Sequence, residues 1–338
     1  MSPKISMKQG NLSEITFLHV LGCVMILLCH FFQDAGPRYG LYSELFLAGL
    51  SLFFVVSGYL AGLKESHNLA WLSRRITRII VPYYVVILLA LIIYFVFKRE
   101  EFSISSTLHL LTFTQGTNYI YWPYEGYMAS CGFGHLWFIT VMLLCIIITP
   151  LLKFVTRNQG LTPTLLILAV MMLIIQPLMI YVGLQLSYLI SYIVGYRFAK
   201  IEVTSKEKLS VVFWCSFVFL IFASVLRLMG RVYIDGTDLY DRYIALLSQS
   251  SMGIFLFISV FYFKRKLAIL DKLYSSKPIL WLATYTYEIY LLHYFFLKSP
   301  WHLSKYFENR VMADLLVVLC SVIGAIIINR AVAYIVKR

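Results

Sequence analysis

The sequence predicts an all-α, polytopic membrane protein with about ten transmembrane helices, and three observations support this prediction. Of the 338 residues, 60% are apolar and only 13% are charged, and the mean hydropathy is +0.80. A water-soluble fold cannot bury so large an apolar fraction, because single cores stop growing as chains lengthen. The apolar residues also fall into runs near twenty residues, the helix length that crosses a bilayer. Residues 1–338 are therefore predicted to form one transmembrane domain without a separate soluble domain.

Short polar segments divide the chain into ten expected spans. Asn11 or Ser13 can cap the first span, and Glu14 in its first turn suits the helix dipole. No small-residue cleavage site follows this run, so we expect a retained helix and not a signal peptide. Pro82 is expected to open the third span. In order, the spans are residues 15–32, 41–63, 82–97, 135–154, 164–182, 184–196, 209–229, 244–263, 278–297 and 312–336.

The distribution of basic residues predicts the orientation of these spans. An even number of spans places both termini on one side of the membrane. About nineteen of the 29 Lys and Arg residues fall in the loops of that side, and about nine fall in the loops of the other. The positive-inside rule therefore places the N and C termini in the cytoplasm.

Nucleic-acid binding and metal binding fit the composition poorly. The formal net charge is +13, but the basic residues are spread over short loops and form no stripe with interleaved aromatics. The six cysteines show neither a CxxC pair nor a metal-ligand spacing, and five of them lie in or beside apolar runs. We therefore predict no nucleic-acid partner, no metal site and no permanently bound cofactor, with membrane lipids as the surroundings.

The first span carries two histidines among otherwise non-ionisable residues. His19 and His30 are eleven positions apart, so on an α-helix they share one face and lie about 16 Å apart along the axis. Ionisable groups inside a bilayer are costly, and two on one stripe suggest a function. His19 then lies in the inner half of the membrane and His30 in the outer half. The alternative is two neutral imidazoles that are hydrogen-bonded to neighbouring helices.

A basic cluster precedes the third span at its cytoplasmic end. If the segment is helical, the spacing of Arg74, Arg75 and Arg78 brings their guanidinium groups together. Such a cluster can bind phosphate groups through paired donors. The alternative is that the arginines only anchor this loop on the cytoplasmic side.

The second span contains several small and polar residues. Gly49 and Gly58 allow a close approach between helices, and Ser57 can hydrogen-bond across such an interface. Glu44 and Ser51 lie two helical turns apart and share a face. Simple packing accounts for this segment as well as a site does, and Glu44 can instead be an interfacial carboxylate.

Two later segments add candidates for substrate contacts. At the outer start of the fourth span, His135 and Trp137 can line a sugar-binding cleft, although Trp137 also suits a membrane–water interface. Glu288 lies in the middle of the ninth span, five residues before His293. An embedded carboxylate is expected to pair with a histidine or an arginine.

Taken together, five segments resemble the acyltransferase-3 family, the integral-membrane acyltransferases that modify bacterial surface glycans. In order, they are His19…His30, GLSLFFVVSG (residues 49–58), RRITRIIVP (74–82), HLWF (135–138) and TYEIYLLH (286–293). The resemblance implies a multi-pass enzyme of the bacterial inner membrane. Its donor is expected to be cytoplasmic acyl-CoA, with acetyl-CoA favoured, and its acceptor a hydroxyl of an extracytoplasmic or lipid-linked glycan.

Three positions depart from the family pattern. His19 stands where members typically carry an arginine, Ser51 stands where an aspartate is often found, and Met142 replaces a glutamate of several branches. The chain therefore resembles a divergent branch of the family, whose activity can differ from that of typical members.

The resemblance implies a role for each candidate. His30 is expected to deprotonate the acceptor hydroxyl, or to carry the acyl group as a nucleophile. Ser57 is expected to stabilise the oxyanion, and His19 to orient the donor or protonate its leaving thiolate. Arg74, Arg75 and Arg78 are expected to bind the donor's phosphates. The candidates for substrate contact are Glu44, His135, Trp137, Glu288 and His293.

A transporter is the main alternative to an enzyme. His19, His30, Glu288 and His293 would then form a proton relay in a proton-coupled transporter or a glycan-lipid flippase. Such folds often consist of two related halves, and the sequence shows no such duplication. A non-catalytic relative that serves as an assembly partner is a third alternative.

Overall fold

The computed structural model describes residues 12–64, 66–98, 104–115, 131–156, 187–200, 206–237 and 239–336, and every regular element in these ranges is helical. The α-helices are α1 (Leu12–Ala35), α2 (Gly40–Phe46), α3 (Ala48–Gly62), α4 (Leu69–Phe97), α5 (Ile104–Leu111), α6 (Trp137–Thr156), α7 (Ser187–Lys200), α8 (Lys206–Tyr233), α9 (Ala245–Lys266), α10 (Ala268–Tyr274), α11 (Lys277–Ala283), α12 (Thr286–Lys298) and α13 (Arg310–Val336). The prediction of an all-α fold is confirmed.

Within the described ranges, seven helical segments are long and apolar enough to cross a membrane. They are Ser13–Ala35, Pro37–Gly62, Leu69–Phe97, Gly134–Leu152, Glu207–Tyr233, Ala245–Lys266 and Arg310–Val336. These segments correspond to the first four, the seventh, the eighth and the tenth predicted spans, which confirms a polytopic membrane protein. The predicted fifth span, 164–182, lies outside the described residues. The described part of the predicted sixth span, 184–196, belongs to α7, a helix of 14 residues.

The third span differs from the prediction at its beginning. We expected it to start at Pro82, but α4 begins at Leu69 and Pro82 lies inside it. Asn68 caps the helix by accepting a hydrogen bond from the backbone N–H of Trp71 at 2.9 Å. The proline removes one backbone hydrogen bond, which a long helix packed against neighbours tolerates. The basic segment before Pro82 is therefore helical.

The predicted ninth span, 278–297, is two helices, α11 and α12. At the junction, the hydroxyl groups of Thr284 and Thr286 donate to the carbonyl oxygens of Leu280 and Ala283, each at 3.2 Å. Threonine hydroxyls that bond to nearby carbonyls compete with the helical ladder and favour a break. The break makes α12 a separate short helix.

The chain divides into two compact units. The first unit comprises residues 1–29, 44–63 and 191–286, and the second comprises residues 30–43, 64–190 and 287–338.

In the first unit, α3 and α7 pack backbone against backbone. A Cβ atom on Gly58 would lie 1.9 Å from the carbonyl oxygen of Tyr192, and one on Gly195 would lie 1.9 Å from that of Val55. Neither position can carry a side chain without moving the helices apart. The predicted role of Gly58 in close helix packing is therefore confirmed.

In the second unit, the segment before α6 packs against α12. A Cβ atom on Gly132, whose φ is +77°, would lie 2.8 Å from the Cα atom of Phe295. The hydroxyl of Tyr94 donates to the carbonyl oxygen of the neighbouring Cys131 at 2.9 Å. Cys131 is fully buried. This packing places the start of α6 beside α12.

Candidate active site

Three imidazole rings lie together in the second unit. His30 is near the end of α1, His135 is in the 3-10 turn Gly134–Leu136 before α6, and His293 is in α12. The ring centroid of His293 lies 4.9 Å from that of His30 and 5.1 Å from that of His135, and the other two are 6.2 Å apart. The sequence singled out each histidine separately, and the fold brings them into one cluster.

A hydrogen-bond chain fixes the proton positions in two of these rings. The Nδ1 atom of His293 lies 2.8 Å from the carbonyl oxygen of Tyr290, which can only accept, so this nitrogen carries the proton. In neutral His293, the Nε2 atom is then an acceptor. The Nδ1–H of His30 donates to it at 2.7 Å. The lone pair of neutral His30 is therefore on Nε2, the atom that a general base would use.

The Nε2 atom of His30 is the ring nitrogen that is not used in the hydrogen-bond chain. It forms no hydrogen bond with any described residue, and 9% of the residue remains exposed. A base that is oriented by a second ring, with its free nitrogen open, has the arrangement required for general-base catalysis.

His135 contributes two buried nitrogens to the cluster. Its exposed fraction is 4%, and neither Nδ1 nor Nε2 forms a hydrogen bond of normal geometry with a described residue, although backbone groups of Tyr290 and Leu291 lie near the ring. The ring is held instead through its backbone, since the hydroxyl of Tyr290 donates to the carbonyl oxygen of His135 at 2.6 Å. A buried polar group without a partner is costly and usually has a functional explanation. The nitrogens of His135 are therefore candidates for contact with a reacting group.

Tyr294 covers the histidine cluster from one side. Its ring centroid lies 4.8 Å from that of His30 and 5.0 Å from that of His135. The tyrosine is partly exposed, so an aromatic ring lies between the histidines and the surface on this side. Neither Tyr290 nor Tyr294 was singled out from the sequence, although both lie within three residues of His293.

Two ion pairs fix the helix ends beside the cluster. The carboxylate of Asp34, one turn after His30, accepts from Lys298 at 2.5 Å and from Arg310 at 2.7 Å. Arg310 also donates to the backbone carbonyl oxygens of Phe31 and Asp34, each at 2.9 Å. These bonds satisfy the last carbonyls of α1 and complement its dipole. The ends of α1 and α12 and the start of α13 are therefore tied together at one carboxylate.

The predicted arginine cluster lies on α4. Arg74 and Arg78 are exposed one turn apart, and Arg75 is partly exposed. In the described part of the chain, no carboxylate forms an ion pair with Arg74 or Arg78. Two unpaired guanidinium groups at neighbouring positions suit a phosphate ligand.

The short helix α12 connects this basic surface to the histidines. Near its start, the hydroxyl of Tyr287 donates to the carbonyl oxygen of Ile79 at 3.0 Å, one residue after Arg78. His293 follows six residues later, which corresponds to about 9 Å along the helix axis. The basic cluster and the histidine cluster thus belong to one continuous part of the second unit.

Glu288 has a different partner from the one predicted. We expected a histidine or an arginine, but the Nδ2 atom of Asn329 donates to its Oε1 atom at 3.0 Å. The carboxyl group is buried, with 5% of the residue exposed. An amide donor satisfies a carboxyl oxygen without placing a second charge in the apolar surroundings. The nearest histidine along the chain, His293, bonds to His30 instead.

Three predicted site residues belong to the first unit. His19 is partly buried, and its ring lies 6.4 Å from that of Phe53. Ser57 is partly buried in α3. Glu44 forms an ion pair with Arg227. Their roles in binding and catalysis stay predictions.

Trp137, the remaining candidate, belongs to the second unit. Its ring centroid lies 5.6 Å from that of Tyr188, and the residue is partly exposed. Among the residues that the structure describes, no group of three or more His, Cys, Asp or Glu side chains is arranged to hold a metal ion.

Comparison with known proteins identifies one family. The model of the acyltransferase domain of the acyltransferase-3 family matches residues 12–330. No curated protein and no solved structure matches the chain.

Proposed function

Because this chain belongs to the acyltransferase-3 family and is therefore a membrane acyltransferase, we propose that it moves an acyl group from acyl-CoA to a hydroxyl of a glycan. The donor is cytoplasmic, with acetyl-CoA the favoured one, and the acceptor is extracytoplasmic or lipid-linked. The observation that carries the proposal is the hydrogen-bond chain that leaves the lone pair of His30 on its open Nε2 atom.

In the proposed reaction, the Nε2 atom of His30 takes the proton of the acceptor hydroxyl. The hydroxyl oxygen attacks the thioester carbonyl carbon, and the carbonyl oxygen becomes a tetrahedral oxyanion. When this intermediate collapses, the carbon–sulfur bond breaks. The thiolate leaves and takes the proton from His30, so the products are an ester and free coenzyme A. The histidine returns to its starting form.

His293 acts as a positioning residue in this scheme. Its Nε2 atom accepts from Nδ1–H of His30, so the imidazole ring keeps the tautomer and orientation that general-base catalysis needs. The developing positive charge on His30 is stabilised by this acceptor. The backbone carbonyl of Tyr290 holds His293 in turn.

His135 is proposed to donate to the oxyanion. Its two ring nitrogens are buried beside His30 and His293 without a described partner. In neutral imidazole one of them carries a proton, and a donor already in place stabilises charge that develops only during reaction. Ser57 stays the alternative donor that the sequence predicted.

Arg74 and Arg78 are proposed to bind the phosphate groups of the donor. Their exposure on α4 and the lack of a described ion pair support this role, as does the Tyr287–Ile79 bond that connects α4 to the helix of His293. The partly exposed ring of Tyr294 supports an acceptor that presents sugar rings.

Transfer of label from acetyl-CoA tests this function. Purified protein in liposomes receives acetyl-CoA labelled in the acetyl group, together with glycan from membranes that lack the protein. We expect labelled, ester-linked acetyl on the glycan and an equal amount of free thiol. Substrate-dependent proton flux without thiol release would instead indicate the transporter that the sequence left open.

A further inference from the structure

A cavity of about 310 Å³ opens in the first unit at the ends of two long helices. Its lining residues are Leu209, Tyr262, Arg265 and Lys266. Arg265 and Lys266 lie in the last turn of α9, and Leu209 lies in the first turn of α8. The N-terminal end of a helix carries partial positive charge. The two full positive charges of Arg265 and Lys266 exceed the partial negative charge at the C-terminal end of α9 and the single charge of Glu207 in the first turn of α8. The net charge beside the cavity is therefore positive, which suits an anionic ligand.

The three consecutive basic residues that end α9 are not equivalent. The ammonium group of Lys264 lies 2.8 Å from a carboxylate oxygen of Glu14 and 3.1 Å from one of Asp271. By contrast, Arg265 and Lys266 form no ion pair with any carboxylate that the structure describes. The dipole of α9 favours basic residues in this turn, but it does not explain why the two unpaired ones line a cavity.

The side chain of Lys266 is held beside the cavity by an aromatic pair. Its ammonium group lies 5.2 Å from the ring centroid of Tyr262, a distance that suits a cation–π interaction. The ring of Tyr262 is stacked on that of Phe213, with centroids 4.1 Å apart and planes 9° apart. The positive charge is thus partly oriented before a ligand arrives.

The short helix α10, next along the chain, presents apolar residues to the surroundings. The exposed fractions are 72% for Ile269 and 48% for Leu273 in α10 and 49% for Leu267 just before it, and the exposed Lys272 lies among them. A helix with exposed apolar and basic residues is typical of the membrane–water interface, where anionic lipid headgroups collect.

We propose that the cavity binds the phosphate group of an anionic phospholipid, whose acyl chains lie against the exposed residues of α10. Arg265 and Lys266 contact the phosphate oxygens, and Tyr262 orients Lys266. This site is separate from the proposed reaction, because the lipid is bound and not consumed. The phosphates of coenzyme A have the same chemistry, so the experiment must separate the two sources.

Native mass spectrometry of the detergent-solubilised full chain provides the test. The protein is titrated with phosphatidylglycerol, with phosphatidylcholine and with coenzyme A. For the Arg265→Gln/Lys266→Gln variant, we expect phosphatidylglycerol binding to weaken about tenfold, with phosphatidylcholine binding unchanged. The matched control is Lys277→Gln, which removes one exposed charge outside both the cavity and α10 and should leave lipid binding within about twofold.

Three results would overturn the proposal. The first is equal loss of lipid binding in Lys277→Gln, which would indicate a diffuse surface charge. The second is displacement of the lipid by coenzyme A together with a raised KM for the donor in the double variant, which would assign the cavity to the donor. The third is unchanged lipid binding in the double variant. If the double variant does not fold, the Lys266→Gln variant alone should weaken binding about threefold.

Discussion

The Nδ1 atom of His30 lies 2.7 Å from the Nε2 atom of His293, and this hydrogen bond joins the end of α1 to α12. The same two helices are joined again one turn further on, where Asp34 pairs with Lys298 at 2.5 Å. The first contact sets the tautomer of the proposed base, and the second keeps the two helices in register.

Replacing His293 by glutamine or by leucine tests its positioning role. The amide oxygen of glutamine can accept from Nδ1–H of His30, whereas leucine cannot. We expect His293→Leu to lower kcat about 100-fold and His293→Gln to lower it less than tenfold, with the donor KM unchanged in both. Steady-state kinetics with labelled acetyl-CoA measure the difference. Equal losses in the two variants would show that the hydrogen bond does not orient the base.

His135→Phe tests the proposed oxyanion donor. Both ring nitrogens of His135 lack a described partner, so an apolar ring at this position removes a desolvation cost and should leave the thermal midpoint unchanged or higher. The value of kcat should nevertheless fall about 100-fold, because the oxyanion loses a donor. A loss of folded protein in step with activity would contradict this role, as would full activity.

Arg74→Gln/Arg78→Gln tests the proposed donor site. Removing two guanidinium groups should raise the donor KM about tenfold and change kcat less than twofold, since the arginines contact a part of the donor that does not react. The remaining affinity should also depend less on salt. Lys305→Gln, an exposed charge of the same unit, is the control and should behave like the unmodified protein. A fall in kcat without a change in KM would assign the arginines a different task.

Asp34→Asn tests the ion pairs at the helix ends. The variant leaves Lys298 and Arg310 without a counter-charge, but both cations are more than a third exposed, 36% and 38%. We therefore expect only about 1 kcal/mol of lost stability, with a lower Tm and a reduced kcat. Asp314→Asn is the control, because its carboxylate lies 3.8 Å from Arg310 and should matter less. Similar effects in both variants would argue against a special role for Asp34.

The sequence allowed the individual histidines to be predicted, because an ionisable residue within an apolar run is visible from local composition. His30, His135 and His293 each lie in such a run or at its edge. Their proximity could not be predicted, since it depends on contacts between residues up to 263 positions apart. The same holds for Asp34, whose partner Arg310 lies 276 positions away. On its own, Asp34 resembles an ordinary residue of an outer turn.

The helix boundaries were less predictable than the existence of the helices. Pro82 suggested a helix start, but α4 begins at the Asn68 cap and continues on both sides of Pro82. The stability of this long helix exceeds the cost of the one backbone hydrogen bond that the proline removes. The break before α12 depends on the hydroxyls of Thr284 and Thr286, whose effect on a helix depends on their rotamers. Glu288 was recognised as unusual, but its partner, Asn329, lies 41 residues further on, in another helix.

The most direct test of His30 as the proposed base compares the turnover of the His30→Ala variant with that of the His109→Ala variant. Both variants lose one imidazole of the second unit, and among the described residues the ring of His109 bonds to the nearby Thr114 alone, at 2.8 Å. With equal amounts of folded protein, we expect His30→Ala to lower kcat at least 100-fold, and His109→Ala to retain turnover within about threefold. Turnover by His30→Ala at the rate of the unmodified protein would contradict the assignment of His30 as the base.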